Sequence, residues 1–85
     1  MPEAKIGRVD KYYSKLGVAV IELASGPLRL GDVIRVRGST TDFEQPVESM
    51  QIEHVRVEQA EAGQRVAIQV VAKARPNDTV YQITP

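Results

Sequence analysis

The segment SGPLRLGDVIRVRG, Ser25 to Gly38, sets three glycines, a proline and a leucine pair ahead of a run that alternates apolar and charged side chains. Alternation with period two marks a strand with one face buried. Ile34 and Val36 fall on one side; Val33, Arg35 and Arg37 fall on the other. Ser25-Gly26-Pro27 reverses the chain before the run, because proline fixes φ and glycine accepts φ > 0. In Leu30-Gly31-Asp32 the glycine supplies a left-handed residue and the aspartate a side-chain acceptor for nearby backbone N–H groups. Arg75-Pro76-Asn77-Asp78 repeats that logic with Asn77 in the glycine-like place, since asparagine tolerates the left-handed region better than most residues. Each turn introduces a strand whose first inward residue stands two positions after the aspartate, Ile34 in one and Val80 in the other. These are two similar turns, not a duplicated sequence.

The rest of the chain reads the same way. Ile6–Tyr13 forms a first strand interrupted by Gly7. Val18–Leu23 (VAVIEL) is an apolar run of strand length, Asp32–Arg37 a third strand, and Pro46–Val57 a fourth with Met50 and Ile52 on one face. Val47 is out of phase with Met50, which predicts a bulge near Ser49. Gln64–Val71 alternates Val66, Ile68 and Val70, and Thr79–Ile83 closes the chain. The one helical candidate, Glu58–Ala62, is a single turn and too short to stand alone. About six strands at this spacing, with β-branched residues at the apolar positions, predict an all-β fold: a small closed Greek-key-like barrel, which removes sheet edges. The expected core is Ile6, Val9, Val18, Val20, Leu28, Leu30, Ile34, Val36, Met50, Ile52, Val66, Ile68, Val70 and Val80.

Composition narrows the function classes. Eighty-five residues allow one domain, 1–85, with one core. Eleven basic residues balance eleven acidic ones, whereas general nucleic-acid binders carry a basic excess to neutralise phosphates. The absence of cysteine excludes disulfides, thiolate catalysis and cysteine-bound zinc, and accords with a reducing cytoplasm. No stretch has the length or apolarity of a signal peptide or a bilayer span, so a cytoplasmic chain without membrane contact is expected.

In this order the motifs GRV (Gly7–Val9), GPLRLGDVIRV (Gly26–Val36), VESMQI (Val47–Ile52), AEAGQRVAIQV (Ala60–Val70) and RPNDTV (Arg75–Val80) cover nearly the whole chain. Together they resemble the β-barrel second domain of translational GTPases, the elongation factor Tu family. The resemblance extends to free-standing elongation factor-like proteins and to similar barrels appended to collagenase-like peptidases. It implies a translation-protein domain II barrel and a place near the aminoacylated 3′ end of tRNA. The family strand that lines that place matches Ser49–His54, with Gln51 where the family often has an acidic residue and His54 where it has a basic one. A phosphate-cradling G-x-x-x-x-G-K-[ST] loop is missing: none of Lys5, Lys11, Lys15 and Lys73 precedes Ser or Thr. No nucleotide, and no other cofactor, is expected.

Candidate binding residues follow from chemistry and from the resemblance. Lys11-Tyr12-Tyr13-Ser14-Lys15 sets aromatic faces between lysines, the pattern that stacks bases and holds phosphates; strand alternation alternatively sends one tyrosine inward. Arg35 and Arg37 share an outward face and suit either RNA or cross-strand pairing with a glutamate such as Glu22 or Glu48. His54 is the only histidine and has no partner in sequence for a catalytic dyad or metal site. Asp32 and Asp78 are turn formers. Phe43, the only phenylalanine, caps the barrel or meets a partner. No catalytic residues and no metal ligands are assigned. The expected function is a non-enzymatic binding module that contacts RNA (tRNA or rRNA) or a ribosome-associated protein through Lys11, Tyr12, Arg35, Arg37, Gln51 and His54. The alternative is a protein–protein accessory domain serving a larger enzyme such as a collagenase-like peptidase.

Overall fold

A computed structural model describes residues 3–84. Its elements are strands throughout: β1 (Glu3–Tyr13), β2 (Val18–Leu23), β3 (Leu28–Arg29), β4 (Val33–Arg37), β5 (Asp42–Pro46), β6 (Met50–Ile52), β7 (Val55–Val57), β8 (Gln59–Ala60), β9 (Arg65–Gln69) and β10 (Thr79–Ile83). The all-β class is as expected, but ten short strands replace about six. The expected strand Pro46–Val57 is divided, because Glu53 and His54 both take left-handed backbone conformations, φ 49° and 66°, and fold Met50–Val57 into a hairpin. The polar stretch after Gly38 supplies β5, and the expected helical turn at Glu58–Ala62 supplies β8.

Eight strands form one antiparallel ladder in the order β5-β4-β10-β1-β2-β9-β6-β7, and β3 pairs with β8 separately. The terminal strands β5 and β7 do not pair with each other, so the sheet is not closed into a barrel. A side chain bridges part of the gap. Gln45, buried on β5, donates from Nε2 to the Gln69 carbonyl at 2.8 Å and accepts at Oε1 from the Val71 N–H at 2.7 Å. One amide side chain thereby satisfies a donor and an acceptor at the end of β9 that a neighbouring strand would otherwise pair.

β1 is the spine, pairing with β10 on one edge and β2 on the other. Its register slips at Ile6 against β10 and at Asp10 against β2. The two bulges explain why its inward residues, Ile6, Val9 and Tyr12, recur every three positions and not every two. Gly7 stands where β1 meets β2 most closely: a Cβ there would overlap the Glu22 carbonyl oxygen. The two turns built on aspartate have the expected geometry. Gly31 and Asn77 have φ of 91° and 72°. Asp32 Oδ2 accepts from the Arg29 N–H and Asp78 Oδ2 from the Arg75 N–H, both at 2.9 Å.

Ten of the fourteen expected core residues are buried: Ile6, Val9, Leu28, Ile34, Val36, Met50, Val66, Ile68, Val70 and Val80. Ile52 is partly buried and packs against that core, as do Phe43 and Tyr12. Three assignments are corrected. Val18 and Val20 point outward, since Ala19, Ile21 and Leu23 fill the inner face of β2. Leu30 is exposed, because the turn that buries Leu28 carries the next residues out into solvent.

Candidate functional site

The outward valines of β2 lie on the floor of a groove. By register, Lys11, Val20, Ala67, Gln51 and Arg56 form one outward row across β1, β2, β9, β6 and β7. Tyr13, Val18 and Gln69 form the neighbouring row. The groove has a volume of about 920 Å³; Val18, Val20, Ala67 and Ile52 line it. Tyr13 and Leu16 flank it at the β1–β2 hairpin, and Glu53, His54 and Arg65 at the opposite end. Leu16 is 69% exposed and Tyr13 45%. Apolar side chains this open beside an outer sheet face make the groove a candidate contact surface.

The sequence-derived candidates separate into two places. Gln51 and His54 line this groove, and Lys11 stands in the same outward row. Tyr12 turns inward and packs against the core, so Tyr13 is the exposed aromatic, the neighbour that alternation sends out. Arg35 and Arg37 lie elsewhere, on β4. The sequence reading missed Tyr13 as the exposed ring, and missed Leu16, Val18, Val20 and Glu53. VAVIEL carries the signal for two of them, being apolar on both faces.

Arg35 is consumed by its own fold. Its Nε and Nη2 meet both carboxylate oxygens of Asp42 at 2.9 and 3.1 Å, and Nη1 meets Glu3 at 2.8 Å. Glu44 stands 3.8 Å away. These are the partners, in place of the expected Glu22 or Glu48. The Arg35 guanidinium holds the Asp42 carboxyl below the usual carboxylate range by direct hydrogen bonding, and Asp42 and Glu3 in turn raise the pKa of Arg35. Glu22 instead pairs with Arg8 and Arg65, each at 3.6 Å. Arg37 makes no ion pair within 4 Å among the described residues, and neither do Lys11 and Lys15. Phe43 serves the core, opposite Val36. Among the described residues no group of three His, Cys, Asp or Glu side chains is placed to hold a metal. No helix there is long and apolar enough to cross a membrane.

The architecture is the fold of the C-terminal domain of a U32 peptidase. The solved C-terminal domain of a Geobacillus thermoleovorans U32 peptidase superimposes with a TM-score of 0.87 at 21% identity, covering 95% of this chain and 93% of that one. Its selenomethionine variant gives 0.83 at 23% identity, covering 89% and 95%. In sequence, a Porphyromonas gingivalis collagenase is 45% identical over 78 residues, 91% of this chain. An uncharacterized protease of Methanocaldococcus jannaschii is also 45% identical over 78 residues. The chain spans only 22% and 19% of those two relatives. No protein-family model matches the chain.

These likenesses overturn the resemblance to the elongation factor Tu barrel and, with it, the translation-factor reading. Within the motifs that carried it, Gly7 is needed where β1 touches β2, and Gly31-Asp32 and Asn77-Asp78 form turns. Such residues report the strand path and not what the chain binds. The other expectation, a domain similar to those appended to collagenase-like peptidases, is the one the relatives support.

Proposed function

We propose that this chain is a non-catalytic accessory domain of a collagenase-like peptidase, meeting the catalytic part through the apolar groove. One observation carries the reading. The 45% identity runs through 91% of this chain yet occupies about a fifth of the relatives, so the remaining four-fifths hold parts this fold lacks. The chemistry agrees. His54 sits on an exposed hairpin turn; the one carboxylate lining the groove, Glu53, precedes it on that turn, and the nearby Asp10 and Glu22 are tied to Arg65. A nucleophile and its base need hydrogen-bond contact, and the groove offers binding surface in place of such a pair.

Calorimetric titration of this chain into a collagenase-like peptidase lacking its own C-terminal domain tests the reading. The expected result is saturable binding, together with no gelatin hydrolysis by the chain alone. Gelatin hydrolysis by the purified chain, or the absence of binding at concentrations up to about 1 mM, the effective concentration typical of a short tether, overturns it.

A further inference from the structure

The shape of the groove and the charges beside it specify an occupant. Along β2 and β9 its floor runs from the Val18–Gln69 pair to the Glu22–Arg65 pair. Four residue steps at about 3.3 Å give a floor of roughly 13 Å, the length of four to five extended residues. The floor side chains are aliphatic, with the Tyr13 phenol ring on one rim and the His54 imidazole on the other. On the β1–β2 side Lys11 stands in the outward row beside Val20 and Lys15 in the hairpin turn, both without an ion pair among the described residues, whereas the far end carries Glu53 beside an Arg65 already engaged by Asp10 and Glu22. Arg35 takes three carboxylates and Glu22 two arginines, but Arg56, at the β7 end of the same outward row, has no carboxylate partner within 4 Å among the described residues. The row that crosses the groove therefore ends in a cation on each side, Lys11 and Arg56, and suits an occupant that carries a carboxylate. A second observation is independent of charge. Glu53 and His54 both hold left-handed conformations at the groove's far rim, where Asn-Gly is the inexpensive choice for a two-residue hairpin. Strain retained in side chains that face a groove is a mark of use.

We infer that the groove binds an extended segment of four to five residues from the peptidase's catalytic part, with aliphatic side chains on the Val18–Val20–Ala67 floor and a carboxylate against Lys11 and Lys15. This rests on the accessory-domain reading above. A peptide fits better than single-stranded RNA, which needs a run of stacking rings where this surface shows only Tyr13 and His54, at opposite ends of an aliphatic floor.

The test overlays labelled chain on immobilised overlapping fifteen-residue peptides that tile the catalytic part of a collagenase-like peptidase. A twelve-nucleotide oligouridine is measured in parallel. Expected is retention on peptides that combine aliphatic and acidic residues. Leu16→Asp, at an exposed hairpin position that leaves folding intact, weakens retention about tenfold, as losing one buried leucine contact implies. Lys11→Glu/Lys15→Glu shifts the preference to lysine-bearing peptides. Unchanged binding by both variants, no peptide bound, or oligouridine bound in place of peptides overturns the inference. Calorimetry with the whole catalytic part separates the two claims. Equal binding of native and Leu16→Asp chains removes the groove and keeps the accessory role. No binding of the catalytic part, with peptides still retained, removes the accessory role and this partner.

Discussion

Replacing Gln45 by methionine keeps the volume of the side chain and deletes its two polar atoms. The native amide satisfies the Gln69 carbonyl and the Val71 N–H, both within 2.8 Å, from a position only 6% exposed. Gln69 and Val71 are themselves exposed residues, so water replaces the side chain in part and each lost hydrogen bond costs about 0.5–1.5 kcal/mol, partly offset by the gain from burying an apolar tip. A net loss of about 1–2 kcal/mol is expected, against a total of about 4–13 kcal/mol for a domain of this size. In thermal unfolding followed by circular dichroism, that lowers Tm by roughly 4–16 °C, at about 4–8 °C per kcal/mol. Gln45→Glu sharpens the test through its pH dependence. A neutral carboxyl can still donate to Gln69 and accept from Val71, but an ionised one turns a bare oxygen toward a carbonyl. Burial and that contact raise the folded-state pKa above the unfolded value of about 4.3, so the folded state binds the extra proton. With more protons bound in the folded than the unfolded state, stability falls as pH rises above about 4. Native protein lacks this particular loss. The bridge assigned to Gln45 is refuted if Gln45→Met unfolds within about 0.5 kcal/mol of native, the scatter of surface substitutions, or if the Val71 amide keeps its hydrogen-exchange protection.

Three further outcomes are expected. Gly7→Ala forces a methyl into the Glu22 carbonyl and costs about 3 kcal/mol or more, whereas Gly31→Ala meets open space and costs only its left-handed strain, about 1 kcal/mol; paired urea titrations read the difference. Glu53→Asn/His54→Gly relieves two strained residues and raises stability by about 1 kcal/mol while removing the groove's far rim. The lowered pKa of Asp42 means that its pairing with Arg35 contributes stability above the unfolded carboxylate pKa near 3.9 and loses it as pH falls through the folded value. Native protein is therefore expected to lose more stability than Asp42→Asn between about pH 4 and pH 2 in acid titrations of the unfolding midpoint.

Much of the architecture is legible residue by residue. β2 and β10 have the boundaries the alternation assigns, and the two aspartate turns follow from Gly31 and Asn77. What escapes the sequence does so for physical reasons. The Glu53-His54 turn carries neither glycine nor asparagine, so nothing local announces a hairpin there. β3 and β8 are two-residue strands held by long-range pairing, and no periodicity can show in so few positions. Openness depends on whether β5 meets β7, a pairing between strands whose own sequences give no register. Arg35 is ambiguous for a similar reason: its partners Glu3 and Asp42 are neighbours only after β1, β10, β4 and β5 assemble.

The misassigned face of β2 bears most directly on function. An antiparallel sheet with one face in water alternates apolar and polar residues, and a strand apolar on both faces belongs to a sheet covered on both. VAVIEL is such a strand: Ala19, Ile21 and Leu23 fill the core, and Val18 and Val20 still face outward. Reading its apolar run as core alone leaves those valines without a reason. Both are half-buried and floor an open groove rimmed by Leu16 and Tyr13. A second cover from outside the fold is what the proposed accessory role supplies to this face. Val18→Thr/Val20→Thr therefore separates the two burdens of β2. It preserves β-branched shape and strand propensity, so the unfolding midpoint should stay near native while binding of the peptidase's catalytic part weakens. A large loss of stability in that variant would place Val18 and Val20 in the core after all and leave the groove without a role.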